Sequence, residues 1–228
     1  MPATRTWRFD LTTRIALVFL AAFMFAMAAL LFSLPFVYGG DRSGDWTIAL
    51  TGIVMTGFAI FATFGSIAAT RTLVTLGATT LEATVVAGHN WCLAPQFREI
   101  SLPLSEIHSV ERRCEIFRTL GFLTMREALS VVTTRGQRVG LFSDTLGNAG
   151  TLPLDEVANA IAAAAGTPVR DDGTVRTKGS GLYGAASSSW GERPLDEVRA
   201  RKGRRAAIAT AQVCSAILLL TLLLRAFL

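Results

Sequence analysis

Histidine, cysteine and tyrosine are scarce in this chain, at two, three and two residues among 228. Cys92, Cys114 and Cys214 stand far apart and none belongs to a C-x-x-C pair, so neither a disulfide framework nor a zinc site is expected. His89 and His108 are equally isolated from further ligands, and a packed or solvated imidazole accounts for each. Catalytic patterns are missing too: there is no G-x-S-x-G, no H-E-x-x-H, no phosphate-cradling glycine loop and no carboxylate pair on one helix face. The acid nearest an imidazole, Glu106 beside His108, reads as an ordinary surface pair on a strand. No catalytic residue, cofactor or metal is therefore expected, and the chain reads as a non-enzyme. Acids and bases are intermixed without any reader motif, which removes nucleic acid from the expected partners.

Charge is low at 17% of residues, and it is absent from three long runs: Ile15 to Tyr38, Trp46 to Thr70 and Ala206 to Leu224. Each is close to or longer than the roughly 20 residues with which a helix crosses a bilayer. A multi-pass membrane protein with three spans is expected. A cleaved signal peptide does not explain the first run, because its apolar core exceeds the usual length and a second span follows at once. Arg5, Arg8 and Arg14 precede the first run, only Arg42 separates the first two, and Arg199, Arg201, Lys202, Arg204 and Arg205 precede the third. The positive-inside rule then puts the N-terminus and the polar insert in the cytoplasm and the C-terminus outside. The loop Gly39 to Asp45 is external, with Tyr38 and Trp46 at its membrane boundary. No span carries an ionisable residue at mid-depth, so none resembles an ion or proton path.

The insert begins with short β-rich runs broken by glycine, proline and polar clusters. Strands are expected at Thr72 to Gly77, Leu81 to Ala87, Phe97 to Leu102, Ile107 to Phe117, Ala128 to Thr134 and Gln137 to Ser143. In the fourth, Val110, Arg112, Cys114 and Ile116 share one face and Glu111, Arg113, Glu115 and Phe117 the other, the pattern of a half-buried strand. Arg135-Gly136 marks a tight hairpin turn. From Pro153 the period changes: Leu154, Val157, Ala158 and Ile161 recur at helical spacing, Asp155 and Glu156 sit in the first turn, and Gly166 ends the segment. The apolar stripe of that helix suits the open end of a barrel.

Two spans are thus followed by Leu73-Val-Thr-Leu-Gly77, Ile100-Ser-Leu-Pro-Leu-Ser-Glu-Ile-His-Ser-Val110, Leu120-Gly-Phe-Leu-Thr124, Leu129-Ser-Val-Val-Thr-Thr134 and Leu154-Asp-Glu-Val157. This succession resembles the bacterial membrane-anchored PH-like domain family over about residues 72–166. The resemblance implies an α+β membrane protein: three transmembrane helices plus a curved antiparallel β-barrel of about seven strands, capped by a C-terminal helix and usually without enzymatic activity. Related three-span proteins with such an insert assist assembly of the bacterial photosynthetic apparatus. A basic first hairpin of the kind that binds phosphoinositides is not evident.

The expected organisation is a cytoplasmic N-terminal segment at 1–14, a transmembrane helix pair at 15–70, a PH-like domain at 71–166, a Gly/Ser-rich linker at 167–192, a basic juxtamembrane segment at 193–205 and a third span with a short tail at 206–228. Pro194, Asp196 and Glu197 suit the start of a short helix leading to Arg205. Its bases Arg199, Arg201, Lys202, Arg204 and Arg205 are the candidate contacts for anionic lipid, at about 1 kcal/mol per base near an acidic leaflet. Ala207, Ala211 and Ser215 repeat every four residues and form a candidate helix-packing face, as do Gly57 and Gly65 in the second span. Three functions remain in view: a non-catalytic adaptor or assembly factor for a bacterial inner-membrane protein complex, a lipid-responsive sensor using the basic segment, and a membrane enzyme, for which no motif speaks. Membrane lipids and a membrane-protein partner are the expected contacts.

Overall fold

The computed structural model describes residues 4–38, 42–119, 122–145, 152–177, 193–209 and 212. The chain opens with a strand where only a polar segment was expected: β1 (Arg5–Arg8) runs straight into α1 (Leu11–Tyr38). Asp10 caps that helix, its carboxylate accepting the backbone N–H of Thr12 at 3.1 Å and of Thr13 at 3.3 Å. The second helix, α2 (Arg42–Arg71), returns antiparallel. Its helical start at Arg42 leaves little of the expected loop, and 39–41 lie outside the described residues.

Both helices are long and apolar enough to cross a membrane, over Leu11–Leu34 and Thr47–Arg71. They meet through small residues: Ala21, Ala28, Ala59 and Ala62 are buried, while Phe19, Phe23 and Phe58 face outward. A close approach is at Gly52, where a Cβ would stand 3.0 Å from the Phe32 ring. Gly57 and Gly65, expected to serve this purpose, have nothing within 4 Å of that point. The hydroxyls of Thr51, Thr56 and Thr63 each donate to the carbonyl one turn earlier, at 2.8 Å, so they cost the helix nothing in unsatisfied polarity. Of the third apolar run, 206–209 and 212 are helical and the remainder lies outside the described residues.

Two four-stranded sheets follow. One has the order β1-β2-β3-β4, with β2 (Leu73–Leu76), β3 (Thr80–His89) and β4 (Pro95–Pro103). A 3-10 turn at Leu104–Glu106 leads to the other, of order β7-β6-β5-β8, built from β5 (Ile107–Thr119), β6 (Phe122–Thr133), β7 (Arg138–Thr145) and β8 (Val169–Arg176). Neighbours are antiparallel except β5 and β8, which run parallel, so the protein is α+β with one mixed sheet. The six expected strands are all present, and the turn at Arg135-Gly136 closes through Thr133 and Gln137, with Gly136 at φ 76°. Glu106 sits in the 3-10 turn and His108 at a register shift, so they are not the strand pair expected.

The sheets share one core. Val74, Leu81 and Val85 meet Val110, Leu129, Val131 and Leu141 there, and α3 (Leu154–Ala165) closes it with Leu154, Val157, Ala158 and Ile161. Gly166 ends α3 in the left-handed region at φ 65°, letting Thr167 N–H reach the Ala162 carbonyl at 3.0 Å.

Two readings need correction. Residues 169–176 are a strand rather than linker: backbone pairing to β5 outweighs their poor β propensity, and Gly173 at φ 69° accommodates the register shift. The expected linker is thereby shortened, and 178–192 lie outside the described residues. Likewise β5 is buried on both faces, with Glu111, Arg113 and Glu115 each 3% exposed or less.

The first strand matters because Trp7 enters the core and its Nε1 donates to Glu156 Oε1 of α3 at 3.0 Å. Truncating Trp7→Ala is expected to destabilise the fold by about 3–5 kcal/mol, as large-to-small core changes do. Trp7→Phe keeps most of the burial and loses a hydrogen bond to the exposed Glu156, for about 0.5–1.5 kcal/mol. Thermal unfolding in detergent, followed by circular dichroism, ranks the two; equal midpoints for Trp7→Phe and the parent would remove the Glu156 bond from the account.

Candidate functional site: a basic helix docked beside a buried charge network

The last described element is a helix over residues 197–209, here α4. Asp196 caps it, Oδ1 accepting the Arg199 N–H at 2.8 Å. Just before it, Leu195 N–H donates to the Thr174 carbonyl of β8 at 2.7 Å, which fixes where α4 begins. One face of α4 is small and docked. Ala200 is buried, a Cβ on Gly203 would lie 2.6 Å from Ile116 Cδ1, and Ala207 packs with Leu195 on the cluster of Cys114, Ile116 and Met125. These residues recur at helical spacing, so the seam is one continuous stripe.

The five candidate bases do not form one cluster. Arg199 pairs with Asp196 at 3.1 Å and Arg201 approaches Glu197 at 3.6 Å, both exposed. Arg204 reaches across the seam, Nη2 donating to Thr174 Oγ1 at 3.3 Å. Arg201, Lys202 and Arg205 share the outward face with Val198 and line a groove of about 470 Å³. Ala207 does serve packing, although its partner is the sheet; Ala211 and Ser215 lie outside the described residues.

Beneath α4 the sheet holds a thiol that spacing did not single out. Burial pushes Cys114 up to about 11, against the opposing pull of the nearby Arg204. Cys92, in contrast, is exposed.

The opposite face of β5 carries a buried charge network. Glu115 lies between two arginines, with Arg113 Nη2 at 2.5 Å from Oε1 and Arg126 Nε at 2.7 Å from Oε2. All three side chains are 2% exposed or less. Arg126 also stacks its guanidinium 4.7 Å from the Phe117 ring centroid. Burial lowers the Arg126 pKa, and the two Glu115 interactions oppose that loss. At the end of the same face Arg138 Nε donates to Glu111 Oε2 at 2.8 Å, which raises the arginine's pKa. Asp172 on β8 is raised by burial first and by the Glu111 charge second. Charges of opposite sign at i and i+2 were the available sequence signal, since they place both on one face; their partner Arg126 is not inferable from β5 alone. Among the described residues no three His, Cys, Asp or Glu side chains gather at metal-binding distance.

The seam makes Cys114 a reporter of α4 docking. With Cys214→Ser as background, a maleimide at pH 8 is expected to modify Cys92 readily and Cys114 very slowly, since only about one Cys114 thiol in a thousand is ionised there. Gly203→Leu puts a branched side chain into the seam, where even a Cβ would lie 2.6 Å from Ile116 Cδ1, and is expected to raise the Cys114 rate at least several-fold. Peptide mapping by mass spectrometry reads both sites, and an unchanged rate would show that α4 does not cover the thiol.

Comparison with protein-family models, with curated proteins and with solved structures finds no match for this chain.

Proposed function

We infer that this protein is a non-catalytic, membrane-anchored adaptor or assembly factor for a bacterial inner-membrane protein complex. The observation that carries the reading is the pairing of β1 with β2, in which Arg5 lies opposite Leu76 and Arg8 opposite Leu73. These strands flank the α1–α2 pair directly, so the sheet domain is joined to the apolar helices by a hydrogen-bonded ladder rather than a tether. A domain held in one orientation above a membrane suits the presentation of a fixed face to another membrane protein. Two sheets closed by α3 around one core support a PH-like domain, with β8 as an addition. In this reading α1 and α2 span the membrane, a third span follows α4, and the N-terminus and sheets lie in the cytoplasm, as the positive-inside rule requires.

The test is purification of the tagged full chain from its native membrane in mild detergent, beside an unrelated three-span control. A stoichiometric companion that is lost in the Gly203→Leu variant, while that variant stays membrane-inserted, is the expected result. Recovery of the chain alone from both would overturn a stable-complex role.

A second reading is favoured by the outward face of α4, where Arg201, Lys202 and Arg205 line one groove beside the exposed Val198. There the bases sense acidic headgroups. Replacing the three with glutamine is expected to abolish any difference in Cys114 labelling between anionic and neutral vesicles. If the parent shows no such difference, the sensor reading fails.

A further inference from the structure

The β3–β4 hairpin presents a large apolar side chain to solvent, with nothing among the described residues to cover it. Trp91 at its tip is 94% exposed and Leu93 47% exposed. The tip is nonetheless a built turn. Asn90 Oδ1 accepts the N–H groups of Cys92 at 3.0 Å and Ala94 at 2.9 Å, and Asn90 N–H donates to the Ala94 carbonyl at 3.0 Å. Leu93 is held at φ 63°, in the left-handed region that is strained for a non-glycine residue. Displaying an indole on a strained, internally braced turn implies an environment in which the indole is welcome.

The register of the sheet says what that environment is. Strand β2 leaves the end of α2 at Leu73, which lies opposite Thr84 of β3. Residues Val85 to His89 therefore run past the start of β2 and back alongside α2, with Pro95 to Arg98 beside them. Contacts confirm the direction: Val86 and Phe97 pack on Ala68 of α2, and the Arg71 guanidinium lies 5.4 Å from the Phe97 ring centroid. At about 3.3 Å per residue the overhang is about 16 Å. The headgroup layer on each side of a bilayer is only about 5–8 Å thick. From Ala83 to Phe97 the hairpin contains no Asp, Glu, Lys or Arg, and charge resumes at its base with Arg98 and the adjoining Arg71. Glu99, opposite Thr84, and Glu82, opposite Ser101, follow further from the tip. An uncharged tip carrying tryptophan thus stands above a charged collar whose nearest members are arginines, the distribution of side chains at a membrane boundary.

We propose that the β3–β4 hairpin is a membrane-inserted wedge, with Trp91 and Leu93 seated at the boundary between headgroups and acyl chains beside α2. The proposal rests on the reading that α1 and α2 span the bilayer. It adds a fourth point of attachment that sets the tilt of the sheet domain over the leaflet, and its ligand is the bilayer interface itself.

The native Cys92 at the tip supplies the probe. The full chain with Cys214→Ser, in lipid nanodiscs, is spin-labelled at Cys92, and collision rates with oxygen and with a water-soluble nickel chelate are compared. Two further sites are labelled in a Cys92→Ser background. Arg135→Cys lies on the exposed β6–β7 turn at the opposite end of the sheets; Phe23→Cys lies on the outward face of α1. The expected result is oxygen access at Cys92 above that at Arg135→Cys and nickel access several-fold below it, with Trp91→Asp restoring nickel access. If the Phe23→Cys label is lipid-exposed while Cys92 matches Arg135→Cys, the wedge is overturned and the spans stand. If the Phe23→Cys label is itself open to nickel, the membrane reading fails and the wedge with it. Insensitivity of Cys92 to Trp91→Asp would equally overturn the anchoring role of the indole.

Discussion

Everything in this fold depends on four residues before the first helix finding four residues after the second. The ladder between β1 and β2 joins segments separated in sequence by both apolar helices. Loop closure over such a distance costs entropy, which grows only slowly with length and is reduced here because the helix pair brings its own ends together. Once formed, the ladder puts Trp7 into the core, where it ties the first strand to α3 through Glu156. It also sets the direction of β3 and β4 relative to α2. The position of the Trp91 turn is thus a consequence of the register between Leu73 and Thr84.

The second sheet is organised by charge as well as by apolar burial. Glu115 between Arg113 and Arg126 leaves a buried excess of positive charge within the triad, partly met by the Phe117 ring. Such a network is weak evidence of net stability, because desolvation of the ions offsets much of their attraction. What it does constrain is register. A slip of one residue along β5 would carry Glu111, Arg113 and Glu115 to the apolar face that holds Val110, Cys114 and Ile116. Removing Glu115 alone would take its charge from two buried guanidinium groups, at about 3–5 kcal/mol by analogy with other buried pairs.

The sequence announced the parts whose signals are local. Alternation located six strands, helical spacing and Gly166 bounded α3, and Arg135-Gly136 marked a turn, because each depends on neighbours within a few residues. What it hid depends on distant partners. Arg5–Arg8 is too short to show alternation, and Val169–Arg176 contains Asp171, Asp172 and Gly173, which disfavour strands; pairing with β2 and with β5 overrides both. For the candidate site, the bases of α4 were evident but their division was not. The stripe of Ala200, Gly203 and Ala207 turns Arg204 toward Thr174 and leaves Arg201, Lys202 and Arg205 outward. Ala207 was visible as a packing residue; extending its period one turn backward would have reached Gly203, and with it the seam over Cys114.

The order of events during synthesis follows from the β1–β2 ladder. As the chain emerges, β1 precedes both apolar helices and cannot pair with β2 until they have been made, so until then its backbone groups are not paired in that ladder. A nascent chain whose helices fail to pair leaves β1 and β2 apart, and two unsatisfied strand edges are what aggregation and proteolysis recognise. The ladder therefore acts as a checkpoint in which successful placement of the helices is the condition for closing the sheet domain.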